Sequence, residues 1–204
     1  MNERQIQRFF RTLAEEFPKP ARIILTGAAA GSLWGSRRPS LDIDFGIMPA
    51  RGGRGAWREL EAAITRTTQL TGIQTNYAQD IGRWGQIGLG DYRRHTIAYR
   101  RFGKLQVRLL DPVYWSIGKV SRYLQPDIQD LIAVFARRRT PPGRCIRIWA
   151  NALRNSSPSA AQAQFRRQVE HFLRTYGRAV WGRRFDAEQA VRLFHRHAGI
   201  FLEL

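Results

Sequence analysis

The chain has 204 residues, a hydrophobic share of 43% and a formal net charge of +18 at pH 7. This length suits one domain, or one domain with a helical appendage, and the hydrophobic share excludes wholesale disorder. No apolar run could cross a bilayer, and the first residues lack a signal-peptide core, so we expect a cytoplasmic protein without membrane contact. The single cysteine, Cys145, excludes an internal disulfide and a cysteine-based zinc site.

The basic excess comes almost entirely from arginine, because only three of the 34 basic residues are lysines. A GC-rich genome would favour arginine codons, but it would not obviously reduce the acidic residues to 16. We therefore favour a polyanionic partner, nucleic acid in particular, over a merely solvated basic surface.

The first two elements are a helix and a buried strand. Apolar residues recur at helical spacing from Ile6 to Phe17, with Asn2 as a cap and Pro18 as a stop. The stretch "ARIILTG" (21–27) is typical of a short buried strand. The small residues that follow permit a tight turn into a helix packed closely on the sheet.

The stretch "LDIDFGIMP" (41–49) alternates strictly between polar and apolar residues at its start. Asp42 and Asp44 therefore point to the same face of a strand. Two carboxylates this close repel each other, and a shared divalent cation would resolve the repulsion. The alternative is a solvent-facing strand whose aspartates lie beside Arg37 and Arg38.

Later elements follow in chain order: a glycine-rich loop at 50–55, an amphipathic helix ending near Gly72, a strand at 73–79, a hairpin about Gly103, and helical segments at 113–124 and 126–139. The sequence "TPPG" (140–143) is the clearest break in the chain. We therefore divide the chain into a first domain, 1–139, and a basic helical region, 140–204.

The basic region carries 11 arginines against four acids, which makes it a candidate nucleic-acid contact surface. Its candidate contacts are Arg166, Arg167, Arg174, Arg178, Arg183 and Arg184. His195 and His197 are two residues apart and would point in different directions on a helix, so we expect surface residues there rather than a metal site.

Two separated motifs resemble those of a known family. The stretch "LTGAAAGSLWGSRRPSLDIDF" (25–45) is similar to the signature of the polymerase-beta-type nucleotidyltransferases, in which a glycine turn after a strand precedes D-x-D. It is especially similar to that of the minimal nucleotidyltransferases grouped with the abortive-infection (AbiEii-like) toxins. Downstream, "SIGKVSRYLQPDIQDLIAVF" (116–135) supplies a lysine and two aspartates in the family's order. The resemblance covers residues 21–135.

The resemblance implies a role for each matching residue. Asp42 and Asp44 would bind Mg²⁺ or Mn²⁺. The nucleotide phosphates would be held by the turn and the residue before the strand: Gly27, Ala28 and Ser40.

The downstream motif would supply the remaining groups. Lys119 would pair with the triphosphate, and Asp130 would be the helical acid. The alternatives are a solvated helix residue at Lys119, a charge stabilised by the helix dipole at Asp127, and one half of a surface ion pair at Asp130.

The chain departs from the family pattern at two points. Ala28 replaces the second glycine or serine of the turn, which keeps the backbone donor but loses a hydroxyl. Larger members carry a third acid on a later strand, whereas the strands of the predicted hairpin contain none. Asp91, Asp111 or Asp130 are the candidates for that acid, which would activate the attacking hydroxyl.

We expect an α/β fold with a small, mixed, twisted sheet flanked by helices and a C-terminal helical region. The expected function is metal-dependent transfer of a nucleotidyl group from an NTP to RNA, with the tRNA acceptor end as the narrower expectation. The rival is a catalytically inactive nucleotidyltransferase-like protein that binds nucleic acid or a partner protein. A protein acceptor is a further alternative, and the toxin resemblance implies a cognate antitoxin as a partner.

Overall fold

The computed structural model describes residues 1–50 and 53–200, so Arg51 and Gly52 of the predicted glycine-rich loop lie outside the described residues. The fold is α/β, with a five-stranded sheet flanked by helices and a C-terminal helical region, which confirms the expected class. The strands are β1 (Ala21–Thr26), β2 (Asp42–Pro49), β3 (Gln74–Ala78), β4 (Thr96–Phe102) and β5 (Leu105–Leu110).

Eight α-helices lie in the described part of the chain. They are α1 (Glu3–Glu16), α2 (Gly27–Trp34), α3 (Arg54–Thr71), α4 (Pro112–Arg122), α5 (Gln125–Arg138), α6 (Pro142–Arg154), α7 (Ala160–Trp181) and α8 (Ala187–Ala198). Asn2 caps α1 through a reciprocal capping box with Gln5, as the sequence predicts for the cap. The helix α3 ends at Gly72, which adopts the left-handed conformation typical of a C-terminal glycine.

The sheet is mixed, with strand order β3-β2-β1-β5-β4. The central strand β1 runs antiparallel to β2 and parallel to β5, while β3 runs parallel to β2 and β4 antiparallel to β5. The carboxyl ends of β1 and β5 therefore meet the amino ends of β2 and β3 at one edge. This edge brings together the end of "ARIILTG" and the start of "DIDF".

The described chain divides into two compact units. The first comprises Met1–Leu33, Arg38–Ile81 and Arg93–Asp111, and the second comprises Trp34–Arg37, Gly82–Tyr92 and Pro112–Leu204. Helices α4 and α5 thus belong with the C-terminal helices by their contacts, whereas the sequence division at 139 places them in the first domain.

Each unit has its own aromatic core. In the first, Phe45 of β2 packs against Phe9 and Phe10 of α1, all three fully buried. In the second, Trp149 of α6 packs against Phe135 and Phe172. Burying such side chains stabilises each unit by about 1.5 to 3 kcal/mol per residue.

Among the described helices, none combines the length and the apolar composition that a transmembrane span requires.

Candidate functional site

The two aspartates begin strand β2 at the edge where β1 ends. The antiparallel pair β1–β2 places Thr26 opposite Asp44, and the parallel pair β2–β3 places Asp44 beside Asn76. Paired residues on neighbouring strands share a face of the sheet. Thr26, Asp44 and Asn76 therefore form a row across three strands. Asp42 lies on the same face, because side chains two residues apart on a strand point the same way.

The other face of β2 explains why the aspartates point outward. Ile43 and Phe45 alternate with the aspartates and are fully buried in the core, whereas Asp42 and Asp44 are half-buried. Reversing this orientation would bury two carboxylates and expose two large apolar side chains. The period of the strand therefore fixes the direction of both acids.

The amide of Asn76 connects the two carboxylates. Its Nδ2 donates to Asp42 Oδ2 at 2.8 Å and to Asp44 Oδ1 at 2.9 Å. Oxygen atoms of both acids thus surround one donor at an exposed position on β3. Two anionic oxygens gathered about one point are also an arrangement that a hard divalent cation prefers.

Gly27 lies where β1 turns into α2, and two constraints require a glycine there. Its φ is +63°, in the left-handed region. An ideal Cβ at this position would overlap the side chain of Asp44. The absent side chain therefore brings the backbone at the start of α2 against one of the two carboxylates. The first N–H groups of a helix lack intrahelical partners and lie at the positive end of its dipole.

Ser40 and Ala28 flank this site in different ways. Ala28 lies in the first turn of α2 and is half-buried. Ser40 is buried; its Oγ donates to the carbonyl oxygen of Asp42 at 2.6 Å, and its own carbonyl oxygen accepts from the amine of Met1 at 2.7 Å. This geometry favours a structural role for the Ser40 hydroxyl, anchoring the start of β2, over the predicted phosphate contact.

Lys119 and Asp130 lie together in the second unit, in a buried ion cluster that joins α4 to α5. Lys119 is only 2% exposed, and its Nζ donates to Asp127 Oδ1 at 3.0 Å and to Asp130 Oδ2 at 2.7 Å. Arg122 also donates to Asp127, and the Ser36 hydroxyl donates to Asp130.

This burial corrects the alternatives drawn from the sequence. Lys119 is not a solvated helix residue, and Asp130 is not half of a surface pair, because each is 2% exposed. Asp127 lies in the first turn of α5 but is 1% exposed and paired with two cations. Because the Lys119 ammonium group already donates to two buried carboxylates, the structure favours a structural role for it over the predicted triphosphate contact.

The cluster keeps Asp127 ionised. Burial acts to raise the pKa of this carboxyl, but hydrogen bonds and charges from Arg122 and Lys119 outweigh it, so the pKa falls below its ordinary value of 3.8. A buried ion pair that loses one partner leaves an uncompensated charge. The cluster therefore depends on all of its members.

The candidate third acids lie in different places. Asp111 follows β5, which is parallel to β1, so it lies at the same edge of the sheet as Gly27, two strands from β2. It is 5% exposed, and its backbone N–H donates to the carbonyl oxygen of His95. Asp91 belongs to the second unit and accepts from the Tyr114 hydroxyl at 3.2 Å. The topology therefore favours Asp111 over Asp91.

The arginines of the basic region fall into two groups. Arg166 donates to Glu170 and Arg174 donates to Glu188, each at 2.8 Å, so these two guanidinium groups are engaged in ion pairs. The others are exposed and, within the described chain, have no acidic group within ion-pair distance: Arg167, Arg178, Arg183 and Arg184.

His195 is not the surface residue that the sequence analysis predicts. It is 7% exposed on α8, and its Nε2 lies 2.7 Å from Glu170 Oε1 on α7. Burial acts to raise the pKa of Glu170, but Arg166 and His195 outweigh it and lower the pKa. The helical period separates His195 from the half-buried His197, so the two histidines do not form a metal site with each other.

The sequence analysis missed Asn76. Its strand was predicted, but its register against β2 was not, and only the register places the amide beside both carboxylates. Asn is depleted in strand interiors, so a lone Asn in "IQTNYAQ" was the available signal.

The donor set about Asp42 and Asp44 therefore consists of two carboxylates and an amide. In the described residues, no group of three or more His, Cys, Asp or Glu side chains is placed to hold a metal ion. Carboxylate and amide oxygens are ligands of Mg²⁺ and Mn²⁺ in proteins, and the absence of a side chain at Gly27 leaves room for the Asp44 carboxylate. By their chemistry alone, the two carboxylates and the amide oxygen are donors of the kind that a hard divalent cation takes.

Comparisons with protein family models, with curated proteins and with solved structures find no match to this chain.

Proposed function

We propose that this chain is a metal-dependent nucleotidyltransferase that transfers a nucleotidyl group from an NTP to RNA, with tRNA as the narrower candidate. One observation carries the proposal: Asp42 and Asp44 both accept from the Asn76 amide, and the Asp44 side chain lies directly against the backbone of Gly27 at the start of α2. Phosphoryl chemistry requires a cation site and a donor-lined turn next to each other.

The acids and the turn have separate tasks in this proposal. Asp42 and Asp44 would hold Mg²⁺ or Mn²⁺, and the Asn76 amide could turn its oxygen to the cation, since a half-rotation exchanges its nitrogen and oxygen. The cation supplies neutralisation of triphosphate charge when bound. The turn at Gly27 and Ala28 would receive a phosphate oxygen at the positive end of the α2 dipole.

The acceptor hydroxyl must lose its proton as it attacks the α-phosphate of the NTP, while the bond between the α- and β-phosphates breaks and pyrophosphate leaves. Asp111 is the candidate that the sheet places at this edge, and its carboxylate would take that proton. Lys119 and Asp130 take no part in these steps, because their charges are satisfied within the α4–α5 cluster.

A catalytically inactive relative that binds nucleic acid or a partner protein is the second candidate. The observation that favours it is Asn76, which contributes a neutral amide where a third carboxylate would strengthen the cation site. A cognate antitoxin would be the protein partner in this case, and a protein is the alternative acceptor to RNA for an active enzyme.

The experiment is transfer of α-³²P-labelled nucleotide to tRNA with Mg²⁺ or Mn²⁺, using each of the four NTPs. We expect the wild type to label RNA and Asp42→Asn and Asp44→Asn to lose labelling. Asp80→Asn is the matched control, because it removes a carboxylate from the same unit at a surface pair with Arg93. Undiminished labelling by an Asp42→Asn, Asp44→Asn double variant would contradict the proposal. Wild-type protein that binds Mn²⁺ but labels no acceptor would favour the inactive relative.

A further inference from the structure

The second unit contains a cleft of about 620 Å³ formed by α6, the end of α7 and α8. Its lining combines two aromatic rings, Trp181 and Phe185, with the guanidinium-bearing side chains of Arg184, Arg192 and Arg196. This combination of rings and cations differs from the purely apolar lining of a structural void.

The aromatic rings are held in fixed positions. Trp181 Nε1 donates to the carbonyl oxygen of Thr140 at 2.8 Å, and the rings of Trp181 and Phe185 lie 4.8 Å apart at 35°. Phe185 also packs so closely on Gly177 that a Cβ there would overlap its ring. Both rings nevertheless stay half-buried at the cleft rather than fully enclosed. These contacts set the position of an apolar surface at the cleft.

The three arginines are available for an anion. Each is exposed, and no carboxylate among the described residues lies within ion-pair distance of Arg184, Arg192 or Arg196. The pKa of Glu188 is lowered mainly by its pair with Arg174 and further by the charge of Arg192. Arg192 and Arg196 are one helical turn apart and so project from the same side of α8. The acid in the lining, Asp186, is engaged as the N-cap of α8, where it accepts from the backbone of Gln189.

We propose that this cleft binds single-stranded RNA, with a base against the Phe185–Trp181 surface and successive phosphates on the three arginines. Bases stack on aromatic rings and phosphates pair with arginine, so the cleft presents the two contacts that single-stranded nucleic acids use. Arg184 precedes α8, whereas Arg192 and Arg196 lie along it, and cations placed at successive positions of the cleft suit the successive phosphates of a strand. The choice of RNA over DNA rests on the proposed function. The stacking and charge contacts are independent of that function.

This assignment shifts the predicted nucleic-acid surface from α7 towards α8. Of the six arginines predicted from the sequence, only Arg184 lines the cleft. Arg166 and Arg174 are held by Glu170 and Glu188.

The test is binding of a fluorescent eight-nucleotide single-stranded RNA, measured by anisotropy over a salt series in EDTA without NTP. An Arg184→Gln, Arg192→Gln, Arg196→Gln variant should bind more weakly, and its log–log salt slope should fall by about 2, because each single-strand phosphate contact contributes about 0.7. The matched control is Arg58→Gln, Arg139→Gln, Arg154→Gln, which removes the same charge from exposed positions that are neither in the cleft nor among the predicted contacts. We expect the control to keep a slope close to that of the wild type.

A second measurement locates the base. RNA carrying 5-iodouridine should cross-link, on irradiation, to the peptide that contains Trp181 and Phe185. Phe185→Leu should weaken binding roughly tenfold, within the range expected for one lost stack. Cross-linking does not depend on this variant's stability, so it remains decisive if Phe185→Leu unfolds.

Several results would overturn the assignment. If the two triple variants lose the same RNA affinity, the binding is a diffuse effect of net charge. If the cross-links are confined to other helices, the base does not lie in the cleft. Equal competition by ATP would favour a mononucleotide, equal competition by polyglutamate would leave only charge, and equal competition by single-stranded DNA would remove the preference for RNA. Because Asp42→Asn, Asp44→Asn protein should bind this RNA like the wild type, failure of the chemistry and failure of the cleft are separable.

Discussion

The side chain of Asp44 occupies the space that a Cβ on Gly27 would need. These two residues come from different elements, the start of α2 and the start of β2, and the antiparallel pairing of β1 with β2 brings them together. The glycine and the acid are therefore a matched pair, and a change at one position has a consequence at the other.

Replacing Gly27 by alanine should destabilise the protein by more than its backbone conformation alone explains. The left-handed φ costs a residue with a side chain about 1 to 2 kcal/mol, and overlap with Asp44 adds to this. Gly72→Ala is the matched control, because Gly72 has φ +70° and nothing within 4 Å of an added Cβ. Urea denaturation of both variants checks the difference; equal losses would show that Asp44 moves aside without cost.

Replacing Asn76 by aspartate should lower the Tm of the protein in EDTA and increase the rise in Tm that divalent cations cause. The change removes a donor to two carboxylates and places a third negative charge beside them. The difference in Tm with and without Mn²⁺ should therefore be larger than in the wild type. Gln106→Asp, an exposed position on β5, adds the same charge to the same sheet. A response in Gln106→Asp as large as in Asn76→Asp would remove Asn76 from the cation site.

Replacing Lys119 by methionine should destabilise the protein by about 3 to 5 kcal/mol, because Asp127 and Asp130 would keep buried charges without their shared cation. A second change, Asp130→Asn, should recover part of this loss by removing one of those charges. Urea denaturation measures both effects. A Lys119→Met variant as stable as the wild type, but defective in NTP binding, would instead support the triphosphate contact predicted from the sequence.

The free energy of unfolding should fall at acidic pH as Asp127 and Glu170 become protonated. Both have a lowered pKa in the folded protein, against ordinary values of 3.8 and 4.5. Each therefore contributes stability above its ordinary value, and that stability is lost as the pH falls through the lowered folded pKa. Urea denaturation between pH 7 and pH 2.5 should show a shallower decline for Glu170→Gln. Glu59→Gln, at an exposed pair with Lys19, should retain the wild-type slope.

The sequence predicts the elements of this fold well, because their signals are local. Helix α1 has a capping residue and a proline stop, and β2 alternates strictly at its start, so both were predicted close to their observed bounds. The same period fixes the shared direction of Asp42 and Asp44 without knowledge of any neighbouring strand.

What the sequence could not predict depends on contacts between distant segments. The position of Asn76 follows from strand order and register, and the burial of Lys119 follows from how α5 packs on α4. Neither the position of Asn76 nor the burial of Lys119 follows from the periodicity of the surrounding sequence. His195 was assigned to the surface for the same reason, since its partner Glu170 lies 25 residues away on another helix.

The outer strand β4 has consequences for self-association. It forms one margin of the sheet, carries Arg100 and Arg101, and its register with β5 is interrupted between Ala98 and Arg100. Exposed strand margins otherwise offer unpaired backbone groups to other chains, and charged side chains together with an irregular register oppose that pairing. This margin therefore opposes strand-by-strand association between copies of the protein, and replacing both arginines by valine should weaken that opposition.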